Sequence, residues 1–177
     1  MEFMLPGRRK SDMILTAPPS AYDKLLIPFA ISRHYTFPGG SYLSQEIKGS
    51  DFTIWQYHFF LHKPSLFYSY SSRPLLTLTY MLEGSATCLP LGSVEIKLEE
   101  NRCRLLYSPA EVKNGAAFNS GNFMCIHINY DSAFLQKMIK KHLLQKPVVE
   151  KESYLINDDS QRLSSLVTRK VRMLLEE

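Results

Sequence analysis

The sequence predicts a mainly β domain that ends in helices, and three observations support that prediction. Between residues 41 and 130, short runs rich in β-branched and aromatic residues alternate with turns built on Gly, Pro, Asn and Ser. Strands and helices do not alternate there, so a parallel sheet is not expected. From Asp131 onward the apolar residues recur at helical spacing. We therefore expect an antiparallel sandwich or barrel of about eight to ten strands, followed by two helices.

Length and composition agree with a single globular domain. The chain has 177 residues, of which 45% are hydrophobic and 12% are aromatic. That length lies within the usual range of one domain, and the aromatic content excludes disorder for most of the chain. The sequence contains no uninterrupted apolar run of about 18 residues, so no membrane span is expected.

The distribution of charge does not predict a nucleic-acid-binding surface. The formal net charge is +4, from 21 basic and 17 acidic residues. Basic residues are spread along the chain, whereas a nucleic-acid surface needs Lys and Arg clustered on one face. The tight cluster Arg8-Arg9-Lys10 is interpreted as a solvated tail.

The cysteines and the start of the chain favour a reducing, cytoplasmic setting. Cys88, Cys103 and Cys125 are odd in number and widely spaced, so a disulfide framework is not expected. The N-terminus lacks the apolar stretch of a secretory signal.

We divide the chain into three parts. Residues 1–35 form an N-terminal arm, residues 36–130 form the β-barrel, and residues 131–177 form a C-terminal helical segment. The arm contains several Pro and Gly residues in its first 20 positions and shows no period, which predicts a loose extension.

The strand-like runs differ in strength. Asp51–Leu61 and Phe123–Tyr130 are the strongest, because they are rich in aromatic and β-branched residues. Leu75–Leu82 is apolar at most positions, as expected of a strand buried on both faces. Val94–Leu98 alternates and predicts a half-buried strand. The remaining runs are Ser41–Ile47, Ser65–Tyr70, Ala86–Leu89, Cys103–Tyr107 and Asn114–Phe118.

Two helices are predicted after the strands. The first begins at Asp131 or Ser132, either of which can cap it, and ends before Pro147. Its apolar face consists of Phe134, Leu135, Met138, Ile139, His142 and Leu143.

The second helix begins near Ser160 and runs close to Glu177 without a C-cap glycine, so we expect the chain to stop inside it. Its apolar stripe is a candidate dimer interface, with packing inside the domain as the alternative: Leu163, Leu166, Val167, Val171 and Leu174.

Residue types that carry catalysis or metal binding are present but poorly arranged. His58 and His62 would lie about 13 Å apart on a strand, too far to share one metal ion. Cys125 and His127 share a strand face, as any two residues at that spacing do, and an inert core cysteine is expected there. The histidine spacing therefore does not predict a metal site. The sequence also contains no phosphate-binding loop and no nucleophile-elbow motif, so an enzyme is not predicted.

The aromatic residues are the feature that points to function. Trp55, Tyr57 and Phe59 share one face of their strand and could line an apolar pocket with a few polar groups. They could equally fill the core of a small barrel. The candidate ligand-binding residues are Trp55, Tyr57, His58, Tyr80 and His127.

Three local patterns carry a resemblance to a known family. Leu82-Glu83-Gly84 ends a strand before a short hairpin, Tyr107-Ser108-Pro109 ends a later strand, and Tyr130-Asp131-Ser132-Ala133-Phe134-Leu135 joins a strand to a helix. With these patterns, residues 41–177 resemble the N-terminal sensor domain of AraC-type transcriptional regulators.

The resemblance implies a cupin-like jelly-roll barrel (a double-stranded β-helix) followed by two C-terminal α-helices that pair two subunits. It further implies a cytoplasmic bacterial protein that binds a small effector such as a sugar or an aromatic compound. DNA would be contacted only through a further helix-turn-helix domain, which this chain lacks. Enzymatic cupins carry a His-x-His motif that is absent between Ser85 and Leu98, so no metal or cofactor is expected. The alternatives are a cupin-type enzyme, a binding protein without a regulatory role, and a dimerisation scaffold whose barrel is filled.

Overall fold

A computed structural model describes residues 2–5, 13–90, 95–130, 133 and 154–157. Within these residues the chain is mainly β, as predicted, and every strand pairing is antiparallel. The strands are β1 (Glu2–Met4), β2 (Ile14–Thr16), β3 (Ile31–Phe37), β4 (Gly40–Lys48), β5 (Phe52–Leu61), β6 (Ser65–Tyr70), β7 (Leu75–Glu83), β8 (Ala86–Leu89), β9 (Ile96–Leu98), β10 (Cys103–Ser108), β11 (Asn114–Phe118), β12 (Gly121–Tyr130) and β13 (Tyr154–Asn157).

The strands form two sheets that face each other. In the described part of the chain, one sheet has the strand order β13-β10-β7-β12-β5-β4-β3-β2, and the other has the order β1-β6-β11-β8-β9. Side chains from both sheets meet in one cluster between them, and this cluster includes Phe59 from the first sheet and Phe118 from the second. We call the side of each sheet that faces this core its inner face, and the opposite side its outer face.

The predicted strands between residues 41 and 130 are confirmed, from the weak run at Ser41–Ile47 to the strong run at Phe123–Tyr130, with Val94 lying outside the described residues. The long strands β5 and β12 pair over ten residues each, and β12 lies between β5 and β7 at the centre of the first sheet. A β-bulge between Met124 and Cys125 shifts the register of β12 against β7. This bulge decides which side chains of β7 share a face with the core-facing side chains of β12.

The structure differs from the sequence analysis at the N-terminus. Residues 1–35 were expected to form a loose arm, but β2, a 3-10 helix (Ser20–Leu25) and most of β3 lie in this segment. The boundary expected between residues 35 and 36 falls inside β3. The cause is the tight β3–β4 hairpin, in which Gly40 has φ of +144° and a Cβ would clash with the carbonyl oxygen of Phe60.

The N-terminal segment packs on the outer face of the first sheet. The Tyr22 ring stacks on Phe60 with centroids 4.5 Å apart and meets His34 edge-on at 5.4 Å. The buried amide of Gln45 accepts a hydrogen bond from Ile27 N (2.7 Å) and donates one to Leu25 O (2.8 Å). Strands β4 and β5 are therefore covered on their outer face around these contacts, where Leu43 and Gln45 are fully buried.

The C-terminal segment is described only in part. Ala133 is helical. Strand β13, which the sequence did not predict, pairs with β10. The two predicted helices, apart from Ala133, lie outside the described residues. The same holds for the whole candidate dimer stripe.

Candidate functional site

Two neighbouring spaces lie on the inner face of the first sheet. We call the first the inner cavity; it has a volume of about 70 Å³ and lies between the sheets, beside Thr77, Thr79 and His127. We call the second the mouth pocket; it has a volume of about 280 Å³ and opens at one end of the sandwich, beside Trp55 and Asn129.

The mouth pocket has an aromatic wall. The half-buried Trp55 ring lies nearly parallel to the Tyr57 ring, with centroids 5.9 Å apart and 5° between the planes. Tyr57 in turn stacks on Phe59 at 6.0 Å. These three residues alternate along β5, so a single strand carries an aromatic column from the mouth into the core.

Charged and polar groups surround the aromatic wall. Glu46 lines the mouth pocket with only 10% of its side chain exposed, and it pairs with Arg33 (3.4 Å) and Lys48 (3.7 Å). Arg73 and Asn129 line the pocket as well. The site therefore offers a flat apolar surface together with hydrogen-bonding groups of both charge signs, a combination typical of small-molecule sites.

A hydrogen bond separates the two spaces. Thr77 lines the inner cavity, Asn129 lines the mouth pocket, and Thr77 Oγ1 donates to Asn129 Oδ1 over 2.8 Å. Both residues are buried, so this bond is shielded from solvent. It joins β7 to β12 at the point where the core gives way to the pocket.

Burial favours the uncharged forms of two cysteines and one histidine that line the inner cavity. Burial raises the pKa of the Cys88 thiol to about 11 and that of the Cys125 thiol to about 12. Burial lowers the pKa of the His127 imidazole to about 4. Cys125 Sγ lies 3.7 Å from His127 Nε2.

The structure brings three of the five predicted ligand-binding residues together. Trp55 and His127 are register partners on β5 and β12, and the His127 ring meets Tyr57 edge-on at 5.2 Å. His58 and Tyr80 lie on the outer face instead. The reason is strand alternation, which sends His58 to the side opposite Trp55 and Tyr80 to the side opposite Thr79.

The two remaining candidates have partners on the outer face. Gln56 Nε2 donates to His58 Nε2 over 2.9 Å, and burial lowers the pKa of this histidine. Tyr80 belongs to a small apolar cluster with Leu78 and Cys103. Neither side chain lines the mouth pocket or the inner cavity.

Four residues of the site were missed by the sequence analysis: Glu46, Arg73, Thr77 and Asn129. They come from four separate segments and meet only because the register places them at one end of the sandwich. The alternation of side chains along β5 already places His58 on or near the face opposite Trp55 in the sequence.

No group of three or more His, Cys, Asp or Glu side chains in the described part of the chain is placed to hold a metal ion. No helix within the same residues is long and apolar enough to cross a membrane.

Comparison with known proteins shows the fold but no sequence relative. No protein-family model matches this chain, and no curated protein sequence matches it. Among solved structures, it is similar to the AraC-like transcriptional activator CuxR, with a TM-score of 0.54 and 9% identity over 78% of this chain. The match spans 47% of the CuxR chain, about half its length.

Two other solved structures are similar to this chain with lower TM-scores. An oxalate decarboxylase variant from Bacillus subtilis gives a TM-score of 0.44 and 13% identity, covering 62% of this chain and 29% of that one. KdgF from Halomonas sp. gives 0.40 and 13%, covering 55% and 84%. The likeness to CuxR and the two facing sheets give this chain a cupin-like fold.

Proposed function

We propose that this chain is the effector-sensing domain of an AraC-type bacterial transcriptional regulator, and that its effector binds in the mouth pocket. The cupin-like fold and the similarity to about half of such an activator support the class of protein. The DNA-binding part of the regulator would be a separate domain outside these residues. The mouth pocket supports the site.

The observation that carries the proposal is the pairing of the exposed Trp55 face with polar groups in a space of about 280 Å³. A cavity of about 150 Å³ already accepts a benzene molecule. The mouth pocket is therefore large enough for a small organic effector, whereas the inner cavity of about 70 Å³ is not.

The lining of the mouth pocket favours a sugar or a small aromatic acid. Either ligand presents a flat apolar face to the Trp55 indole ring. Hydroxyl groups could bond to Asn129 and Glu46, and a carboxylate could bond to Arg73. The effector would act by binding one state of the regulator more tightly than another.

Binding can be followed through Trp55 itself, because it is the single tryptophan of the chain. We expect titration with sugars or small aromatic acids to change its fluorescence and to raise the melting temperature. Arg73→Gln should weaken the binding of an acidic effector by about tenfold or more, because a charge-assisted hydrogen bond is lost.

Arg102→Gln is the matched control, since Arg102 is exposed and does not line the mouth pocket. It should leave the affinity unchanged. The proposal would be contradicted if neither ligand class altered the fluorescence or the melting temperature. Recovery of a chemically altered ligand would favour a cupin-type enzyme.

The regulator is proposed to form a homodimer through the stripe of its second predicted helix. Light scattering of the 177-residue chain should then give the mass of a dimer. Leu166→Glu should shift the mass to that of a monomer while leaving the β signal in circular dichroism unchanged, because a charge would enter an apolar interface. An unchanged dimer would show that this stripe does not pair the subunits.

A further inference from the structure

Soft metal ligands are concentrated on one wall of the inner cavity. Met81 on β7 lies directly opposite Cys125 on β12, and His127 follows two residues later on the same face. Met81 and Cys125 are only 1% and 3% exposed. Cys88 lines the same cavity from the other sheet.

The spacing between Cys125 and His127 fits one shared metal ion. Metal–sulfur and metal–imidazole bonds of roughly 2.3 and 2.0 Å, at a trigonal angle of about 120°, separate the two ligand atoms by about 3.7 Å. Cys125 Sγ and His127 Nε2 are 3.7 Å apart. These two atoms of β12 could therefore bind one ion without any change in their separation.

We propose that the inner cavity binds a single Cu(I) ion through the Cys125 thiolate, the His127 imidazole and the Met81 thioether. Thiolate and thioether ligands select Cu(I) over harder cations, and a space of about 70 Å³ is ample for one ion. On binding, the Cys125 thiol gives its proton to water and its sulfur bonds to the metal. No electron is transferred in this step.

The electrostatics of the cavity favour a monovalent ion. One thiolate neutralises Cu(I) completely, so the bound centre carries no net charge inside the core. A divalent ion with the same ligands would leave one positive charge, which is costly to bury without a partner. The sequence-based expectation of no metal site was drawn from the positions of the histidines. It did not include a methionine thioether as the third ligand.

The competing interpretation is that Cys125 and His127 form an ordinary core hydrogen bond. The two interpretations differ in a Cu(I) titration under anaerobic, reducing conditions, in which the chain competes with a coloured Cu(I) chelator. We expect a stoichiometry of one, the release of one proton per copper, and an ultraviolet thiolate-to-copper charge-transfer band.

Variants identify the ligands. Cys125→Ser and Met81→Leu should each weaken Cu(I) binding by more than about a hundredfold, since both remove a direct ligand. Cys103→Ser is the matched control, because Cys103 is buried on the outer face in a separate cluster. Its affinity should equal that of the unmodified chain.

The proposal is overturned if the unmodified chain takes no Cu(I) from the chelator, or if it binds Zn(II) as tightly. It is also overturned if Cys125→Ser binds like Cys103→Ser. Should Cys125→Ser fail to fold, Met81→Leu still decides, because it conserves side-chain volume. These outcomes are independent of effector binding in the mouth pocket.

Discussion

The two ends of the sandwich are built from the same strands but differ in what they contain. At the packed end, Phe59 pairs with Phe123 across β5 and β12, and Phe67 and Phe118 complete an aromatic cluster. At the mouth end, beyond the pair of Tyr57 with Cys125, the inner-face pairs along those two strands are Trp55 with His127 and Thr53 with Asn129. Thus each strand changes from apolar to polar along its inner face.

This difference separates stability from recognition. The ring centroids at the packed end lie 4.7–5.8 Å apart, from Phe59–Phe118 to Phe67–Phe118, which is the range of favourable aromatic contacts. Burial there stabilises the whole sandwich. The mouth can then carry charged groups and an open space, which contribute little to the free energy of unfolding but provide contacts for a ligand.

The largest expected effect tests this separation directly. Phe67→Ala should lower the free energy of unfolding by about 3–5 kcal/mol, because Phe67 is fully buried at the packed end. Trp55→Ala at the mouth should cost less than about 2 kcal/mol, since that side chain is only partly buried. Urea denaturation measures both values, and equal losses would show that the packed end and the mouth end contribute equally to stability.

The second prediction concerns the pH dependence of stability, and it involves His127, which lies on β12 between the packed end and the mouth end. The pKa of His127 is lowered from 6.5 to about 4 by burial, so the unfolded state binds more protons than the folded state in that window. Stability should therefore be complete above pH 6.5 and be lost as the pH falls toward 4. The loss through His127 is roughly 3 kcal/mol.

His127→Gln should make the decrease between pH 7 and pH 4 smaller in urea denaturation. His62→Gln is the matched control, because His62 is exposed. An identical decrease in both variants would show that His127 does not produce the pH dependence.

The smallest expected effects compare a buried bond with an exposed one at the mouth. Thr77→Val removes the donor to Asn129 and should cost about 1–2 kcal/mol, because a buried acceptor loses its partner. Lys48→Gln removes an ion pair whose lysine is 66% exposed, and it should change stability by less than about 0.5 kcal/mol. Thermal denaturation compares the stability losses of the two variants. A larger loss for Lys48→Gln than for Thr77→Val would contradict the stabilising role of the buried hydrogen bond.

The sequence predicts the fold better than it predicts the site. Period and residue type are local properties, so runs such as Leu75–Leu82 and Asp51–Leu61 indicate their strands without further information. β3 escaped prediction because its mixed polar sequence follows a stretch rich in proline. Its pairing with β4 depends on the hairpin turn at Gly40 rather than on a strong apolar pattern.

The site depends on register, which the sequence does not specify between distant strands. Trp55 and Tyr57 could be grouped because they lie on one strand. Tyr80 could not be placed, because its face relative to β12 depends on the bulge after Met124. Asn129 and Thr77 meet only once that register is established.

The position of β12 has a consequence for how the chain folds during synthesis. β12 lies between β5 and β7, where Tyr130 pairs with both Phe52 and Leu76. Such long-range pairings close large loops and place folding in the range of roughly milliseconds to seconds. Until β12 leaves the ribosome, β5 and β7 have unpaired backbone edges that can pair with other chains. We expect nascent chains arrested before residue 121 to need a chaperone to remain free of aggregation.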